Sequence, residues 1–179
     1  MPVYRLLHRT YGSVRNRADV MVDFSIRRAR GGDEDFVLAL LRELAAYEKL
    51  LDRFHITAQV IARDYFCEQP LLNCDLAFEG ESPVGIATWY WTYHSFAARR
   101  GIFLEDLFVR PQTRGKGYGK ALLSHLARTA LETGGGQVEW EVLDWNQPSI
   151  DFYESIGAKR QGGWHTYRLE DAALKKMAS

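Results

Sequence analysis

Cysteine is scarce, with Cys67 and Cys74 the whole supply in 179 residues. Two thiols without metal-ligand spacing build neither a zinc site nor a disulfide framework, so no metal is expected and a reduced, cytoplasmic setting is. An excess of one charge is missing as well: 23 lysines and arginines stand against 23 aspartates and glutamates. That balance gives no broad basic face, so a nucleic-acid partner is not expected. No apolar run reaches membrane-span length and no secretory core segment is present, so no membrane partner is expected either. Prolines number only five, no Pro/Gly/Ser-rich stretch divides the chain, and repeats are lacking. One domain with one core is the expectation at this length.

What is present starts with an odd segment. Residues 1–22 carry Arg5, Arg9, Arg15 and Arg17 against a single acid, Asp19. A transit peptide would look like this, but so would a disordered extension or a start placed ahead of Met21, and we assign the segment to the latter two. Residues 23–179 are assigned to the folded domain.

Phe24 to Arg27 alternates as a short strand, and Gly31-Gly32-Asp33 offers a turn and an N-cap. Phe36, Val37, Leu40, Leu41, Leu44 and Leu51 then predict an amphipathic helix over 34–51, with Tyr47 and Glu48 near its C-terminal end. An acid there opposes the helix dipole, a local cost that a cationic ligand would offset, although a solvated surface glutamate explains it too. Thr57 caps a second helix to about Phe66. Leu76–Phe78 and Val84–Trp91 flank Gly80-Glu81-Ser82-Pro83 as a hairpin, and polar residues from His94 to Gly101 lead to a strand over Ile102–Val109. A helix through Leu122, Leu123, Leu126 and Leu131 stops at Gly134-Gly135-Gly136. Val138–Leu143 reads as a strand with Glu139 and Glu141 on one face, 149–156 as a short helix ended by Gly157, and Trp164–Leu169 as a last strand. The order implies an α/β fold, a mixed central β-sheet flanked by helices.

The most informative stretch is 104–123. An apolar strand meets Pro111, then Gly115, Gly117 and Gly119 at alternate positions, then a helix. Such a junction directs orphan backbone N–H groups and the helix dipole at one anion, with Arg114 and Lys116 adding charge. A P-loop is excluded, because Ala121 follows Gly119-Lys120 where magnesium needs a hydroxyl. A dinucleotide fingerprint is excluded by the Gly-x-Gly-x-Gly spacing and by the antiparallel strand before it.

Arg114-x-x-Gly117-x-Gly119 after Val109-x-Pro111 resembles motif A of the GNAT (GCN5-related) acetyltransferases. Asn146-x-x-Ser149-x-x-Phe152-Tyr153, then Gly157-Ala158, resembles their motif B. Glu43 to Glu48, Leu104 to Val109 and Trp145 to Ser149 are similar to the diamine acetyltransferases, the spermidine/spermine and thialysine enzymes, and the likeness spans roughly Phe24 to Ala178. The resemblance implies a GNAT fold with acetyl-CoA as co-substrate, bound at a splay between two central strands, and an N-acetyltransferase acting by direct transfer on a small amine, as a homodimer.

Carried over residue by residue, Glu105 is the base and Tyr153 the acid toward the leaving thiolate. Asp106, next to Glu105, falls on the opposite strand face by alternation. Leu107, Phe108 and Val109 line the pantetheine arm, with a backbone N–H near Phe108 polarising the thioester carbonyl. Arg114, Gly115, Lys116, Gly117, Tyr118, Gly119 and Lys120 hold the pyrophosphate; Asn146, Gln147, Pro148 and Ser149 complete the cofactor contacts. Tyr47, Glu48, Glu105, Glu139 and Glu141 are the candidate amine-binding residues. The chain departs from the spermidine/spermine enzymes at His94, Phe96 and Gly162, where two acids and a tryptophan are replaced, which favours a shorter amine or a thialysine-like amino acid. A protein-lysine acetyltransferase and a non-catalytic acyl-CoA sensor remain as alternatives.

Overall fold

The computed structural model describes residues 23–163 and 165–179, so the arginine-rich start and Trp164 lie outside the described residues. The chain divides into one unit ending at Glu141 and a second over Val142–Ser179.

In the first unit, apolar residues at helical spacing make α1 (Glu34–Tyr47) and bury Val37, Leu40, Leu41 and Leu44. The helix ends earlier than its apolar pattern, because Lys49 turns to φ 63° and Leu51 passes into a separate 3₁₀ turn. Asp33 stands at the N-cap of α1 without a side-chain cap bond. Its carboxylate accepts instead from Arg27 at 2.6 and 2.8 Å and from the Arg30 N–H at 2.9 Å. α2 (Ala58–Tyr65) is capped as expected, Thr57 Oγ1 accepting from the Val60 N–H.

Five strands form one sheet in sequence order: β1 (Phe24–Arg28), β2 (Asn73–Glu79), β3 (Ser82–His94), β4 (Arg99–Val109) and β5 (Val138–Trp140). The first four pair antiparallel, so β3 and β4 extend into the expected polar connection and leave only 95–98 as a turn. β5 pairs parallel to β4 after the crossover through α3 (Tyr118–Glu132). Ile86 and Phe108 join α1 and α2 in one apolar cluster, whereas Gly85 faces Leu122 of α3. The two helical layers therefore cover opposite faces of the sheet. On the α3 side lies Asp75, 1% exposed, with Trp89 Nε1 donating at 2.6 Å, Arg28 Nε at 3.0 Å and His125 Nε2 at 3.5 Å. Burial pushes its carboxyl up, but these partners outweigh it and hold the group below the usual carboxylate range.

The second unit holds α4 (Gln147–Ser155) and α5 (Asp171–Ala178). The strand expected over Val138–Leu143 stops at Trp140, and residues 165–169 take no strand, leaving β5 at the edge of the described sheet. Alternating residues make a strand only where a neighbouring backbone completes the ladder. α5 was not anticipated, although Ala172, Ala173, Leu174, Lys175 and Lys176 are strong helix formers.

Because the folded value of Asp75 is depressed, its contribution to stability is complete at neutral pH and is lost as pH falls through that value. Chemical denaturation between pH 6 and 3 should show a shallower acid loss for Asp75→Asn than for the parent chain; parallel profiles would contradict this role.

Candidate active site

β3 and β4 stay in register except at one place. Trp89 faces Leu104 and Thr88 faces Asp106, so Glu105 is an extra residue, a β-bulge. Leu104 and Asp106, two apart, consequently lie on opposite faces of the sheet, and simple alternation no longer separates Asp106 from Glu105. β5 leaves β4 at the same point, its pairing running from Ile102↔Val138 to Leu104↔Trp140 and stopping. β4 continues to Val109 with that edge open among the described residues, which is the splay expected from the resemblance. The Arg110 N–H donates to the Val84 carbonyl of β3 at 2.9 Å. By alternation the Phe108 N–H also points to β3, while Leu107 and Val109 turn theirs to the open edge. The N–H groups on the open edge are thus those on either side of Phe108, and the Phe108 ring is core, 3% exposed.

Acids gather around the bulge. Burial pushes the Asp106 carboxyl up, partly countered by the hydrogen bond from Thr88 Oγ1. Glu48, the C-cap of α1, is raised first by burial and then by the Asp106 charge. Glu105 is raised by partial burial, then by Asp106, then by Glu141. The Tyr65 phenol at the end of α2 is pushed up by burial and by Asp106, and Tyr90 by burial, Glu105 and Glu141. Glu48, Asp106, Glu105 and Glu141 therefore share one electrostatic neighbourhood, with Tyr65 and Tyr90 beside it. Sequence reasoning missed Asp106, because alternation hid it, and both tyrosines, which no spacing marks. Glu139 is set apart, its Oε2 lying 3.3 Å from His94 Nε2.

The glycine turn is built as its composition suggests. Gly115 and Gly117 take φ of 79° and 86°, a left-handed backbone that side chains resist, and Gly117 is the N-cap of α3. The Ala121 N–H makes the bond to the Gly117 carbonyl that opens the helix, so the N–H groups of Tyr118, Gly119 and Lys120 precede the ladder. The flanking cations are tied back to the protein. Lys116 Nζ sits 2.9 Å from both Glu79 oxygens, and the Tyr118 hydroxyl donates to Glu79 at 2.8 Å. Glu79 is lowered by Lys116 and then Tyr118, while burial and then Glu79 push the Tyr118 phenol to about 12. Arg114 Nε donates to the Val109 carbonyl at 3.0 Å, and its guanidinium lies over the Tyr47 ring at 4.9 Å. Arg110 anchors the end of β4 to α1, Nη2 reaching Glu43 at 2.8 Å.

In the second unit, Asn146 is buried at the N-cap of α4 and its carbonyl accepts from the Ile150 N–H at 3.1 Å. Pro148 occupies the first turn, Gln147 Nε2 donates to Asp151 at 2.6 Å, and Ser149 is half-buried. Tyr153 lies half-buried beside Phe152, ring centroids 5.4 Å apart, and Gly157 with φ 89° ends the helix. Among the described residues no cluster of three His, Cys, Asp or Glu suits a metal, and no helix is long and apolar enough to cross a membrane.

A mixed sheet that splays at a bulge, followed by a glycine turn capping a helix, defines the α/β architecture. Residues 40–158 match the acetyltransferase (GNAT) family. The chain is 36% identical over 169 residues to a thialysine N-epsilon-acetyltransferase of Sus scrofa, covering 88% of this chain and 99% of that one. It is 36% identical over 165 residues to spermidine/spermine N(1)-acetyltransferase-like protein 1 of Homo sapiens, covering 87% of this chain and 24% of that one. An integron cassette protein from the mobile metagenome of V. cholerae has the same fold, with a TM-score of 0.74 at 26% identity over 87% of this chain and 97% of that one. The chain belongs to the GNAT family and is an enzyme that transfers acetyl groups.

The raised carboxyls have a sign that can be checked. A folded value above the unfolded one means that ionisation costs stability, so this cluster contributes less as pH rises through its folded midpoints. Carbon-detected titration of the side-chain carboxyls should place Glu48 and Glu105 above ordinary glutamates, and Asp106→Asn should lower both. Midpoints that do not move in that variant would dissolve the cluster.

Proposed function

We propose that the enzyme is an acetyl-CoA-dependent N-acetyltransferase whose acceptor is the primary amine of a small diamine, polyamine or thialysine-like amino acid, with direct transfer in a ternary complex. The observation that carries this reading is the acid neighbourhood of Glu48, Asp106, Glu105 and Glu141 where β4 parts from β5. Carboxylates that raise one another favour a cation among them. Amine acceptors in the names of both relatives point the same way.

The residues fit the co-substrate. Positive-φ glycines present backbone donors ahead of α3, suited to a pyrophosphate, and the open edge at Leu107 and Val109 suits the amides of a pantetheine arm. Arg114 and Lys116 shape this turn from their anchored positions, and Lys120 stands in the first turn behind it. Asn146, Gln147, Pro148 and Ser149 are assigned to the remaining cofactor contacts on the family pattern. Acetyl-CoA supplies the activated thioester carbonyl and a thiolate leaving group.

An alkyl ammonium of pKa about 10.4 is mostly protonated at neutral pH, and freeing its lone pair costs about 4–5 kcal/mol. Glu105 accepts that proton, through water, and Tyr47, Glu48 and Glu141 hold the rest of the acceptor. The amine nitrogen then bonds the acetyl carbon as the carbon–sulfur bond breaks. An N–H of Leu107 or Val109 donates to the carbonyl oxygen, Tyr153 gives its phenolic proton to the departing sulfur, and the surplus proton on the acetylated nitrogen returns through water to Tyr153. The cytoplasmic setting and the homodimer implied by the resemblance belong to the same reading.

Acetyl-CoA turnover against diamines, polyamines, thialysine-type amino acids and a lysine peptide tests it. Release of CoA with a small amine is expected, with Glu105→Gln lowering kcat/KM about 10²–10⁴-fold and Tyr153→Phe lowering kcat. Peptide-only activity would assign a protein-lysine acetyltransferase; cofactor binding without turnover would assign an acyl-CoA sensor. Separately, Arg114→Ala should raise the acetyl-CoA KM more than it changes kcat at saturating cofactor, and an unchanged KM would remove Arg114 from the cradle.

A further inference from the structure

The acid-bearing face of the sheet is stopped at one end by the chain's own histidine. Tyr90, Thr92 and His94 follow one another along one face of β3, and Tyr90 stacks on Phe103 of β4 at 5.2 Å. Phe103 in turn pairs with Glu139 of β5. Opposite Thr92 stands Gly101, where an added Cβ would fall 2.7 Å from both His94 Nε2 and Thr92 Oγ1. The missing side chain leaves a trough across β4, and the His94 ring lies in it. From there Nε2 reaches Glu139 Oε2 at 3.3 Å, while Nδ1 faces Gln137 Nε2 at 3.4 Å. A residue of β3 thus spans β4 to occupy a carboxylate of β5.

The position of that carboxylate matters. Glu139 lies within the β4–β5 ladder, two residues before Glu141, whose charge reaches Glu105. An extended amine with its reacting nitrogen at Glu105 and a second cation at Glu141 would bring a third cation to Glu139. That partner is taken, and the space over Gly101 is filled by an imidazole.

We propose that His94, seated over Gly101 and paired with Glu139, is a specificity-determining residue that ends the acidic path and limits the acceptor to amines with two cationic centres. The inference rests on the amine-acceptor reading above. A longer polyamine must either leave its third ammonium unpaired or expel the ring and forfeit the His94–Glu139 contact. Removing the ring should therefore act on long amines alone, and through Glu139.

The test compares propane-1,3-diamine, spermidine and spermine as acceptors for the full chain, His94→Ala, His94→Asn and His94→Ala/Glu139→Gln, with thermal melts to confirm folding. The parent should prefer the diamine. His94→Ala should raise kcat/KM for spermine about tenfold, mostly through KM, a change of the size expected when one charge pair becomes available. The diamine should change by less than about twofold, and adding Glu139→Gln should cancel the spermine gain. His94→Asn, which keeps a polar group in the trough with less bulk, should gain in the same direction; if His94→Ala does not fold, this variant decides. A parent that uses spermine as well as the diamine, an equal change for all three amines, or a gain that survives Glu139→Gln would each overturn the inference while leaving the amine reading intact. A parent that binds acetyl-CoA but acetylates none of the three, nor any other amine, overturns both.

Discussion

A single unmatched residue, Glu105, governs the arrangement around it, because a β4 strand that stayed in step would turn Leu104 and Asp106 to the same layer. The slip sends Leu104 into the α3 side, 2% exposed, and Asp106 to the α1 and α2 side beside Thr88. It also coincides with the end of β5 pairing, so polar backbone is left open where a strand would otherwise close it. A closed ladder would have no vacancy for an extended molecule, and a regular strand would scatter the acids over two faces.

Around that opening the protein spends side chains on shape more than on charge. Glu79 at the end of β2 takes Lys116 and the Tyr118 hydroxyl together, and Tyr118 stacks on Phe24 at 4.3 Å. Arg114 is held by the Val109 carbonyl and the Tyr47 ring, which links the glycine turn to the end of α1. The glycine turn and the end of α1 are therefore braced by one guanidinium. With those cations tied back, oriented N–H groups at the start of α3 remain as the positive end of the turn, dipoles fixed by the fold.

Much of this was legible wherever a local signal existed. Helical periodicity located α1 and α3, Thr57 announced α2, and the glycines marked the turn that opens α3 before any strand was paired. Glu48 and Glu105 were readable as candidates from the resemblance, while their company was not. Asp106 joined them only through a bulge that no residue type announces. Pairings such as Lys116 with Glu79, 37 residues apart, depend on which strands meet and leave no trace in spacing. Asp33 illustrates the opposite error, since a good capping residue was claimed by Arg27 once β1 and α1 came together. The alternation of 165–169 carried no information about whether a neighbouring strand would be there to receive it.

Gly101 and His94 bind each other's evolutionary options. Any side chain at 101 meets the ring at 94 and the Thr92 hydroxyl together, so a shorter residue at 94 relieves only part of the crowding over the glycine. Both the histidine and the Thr92 hydroxyl must therefore yield before the glycine can grow. A lineage in which 101 has already acquired a side chain cannot regain a histidine at 94 by a single step, so the step that opens the trough is far easier to take than to reverse.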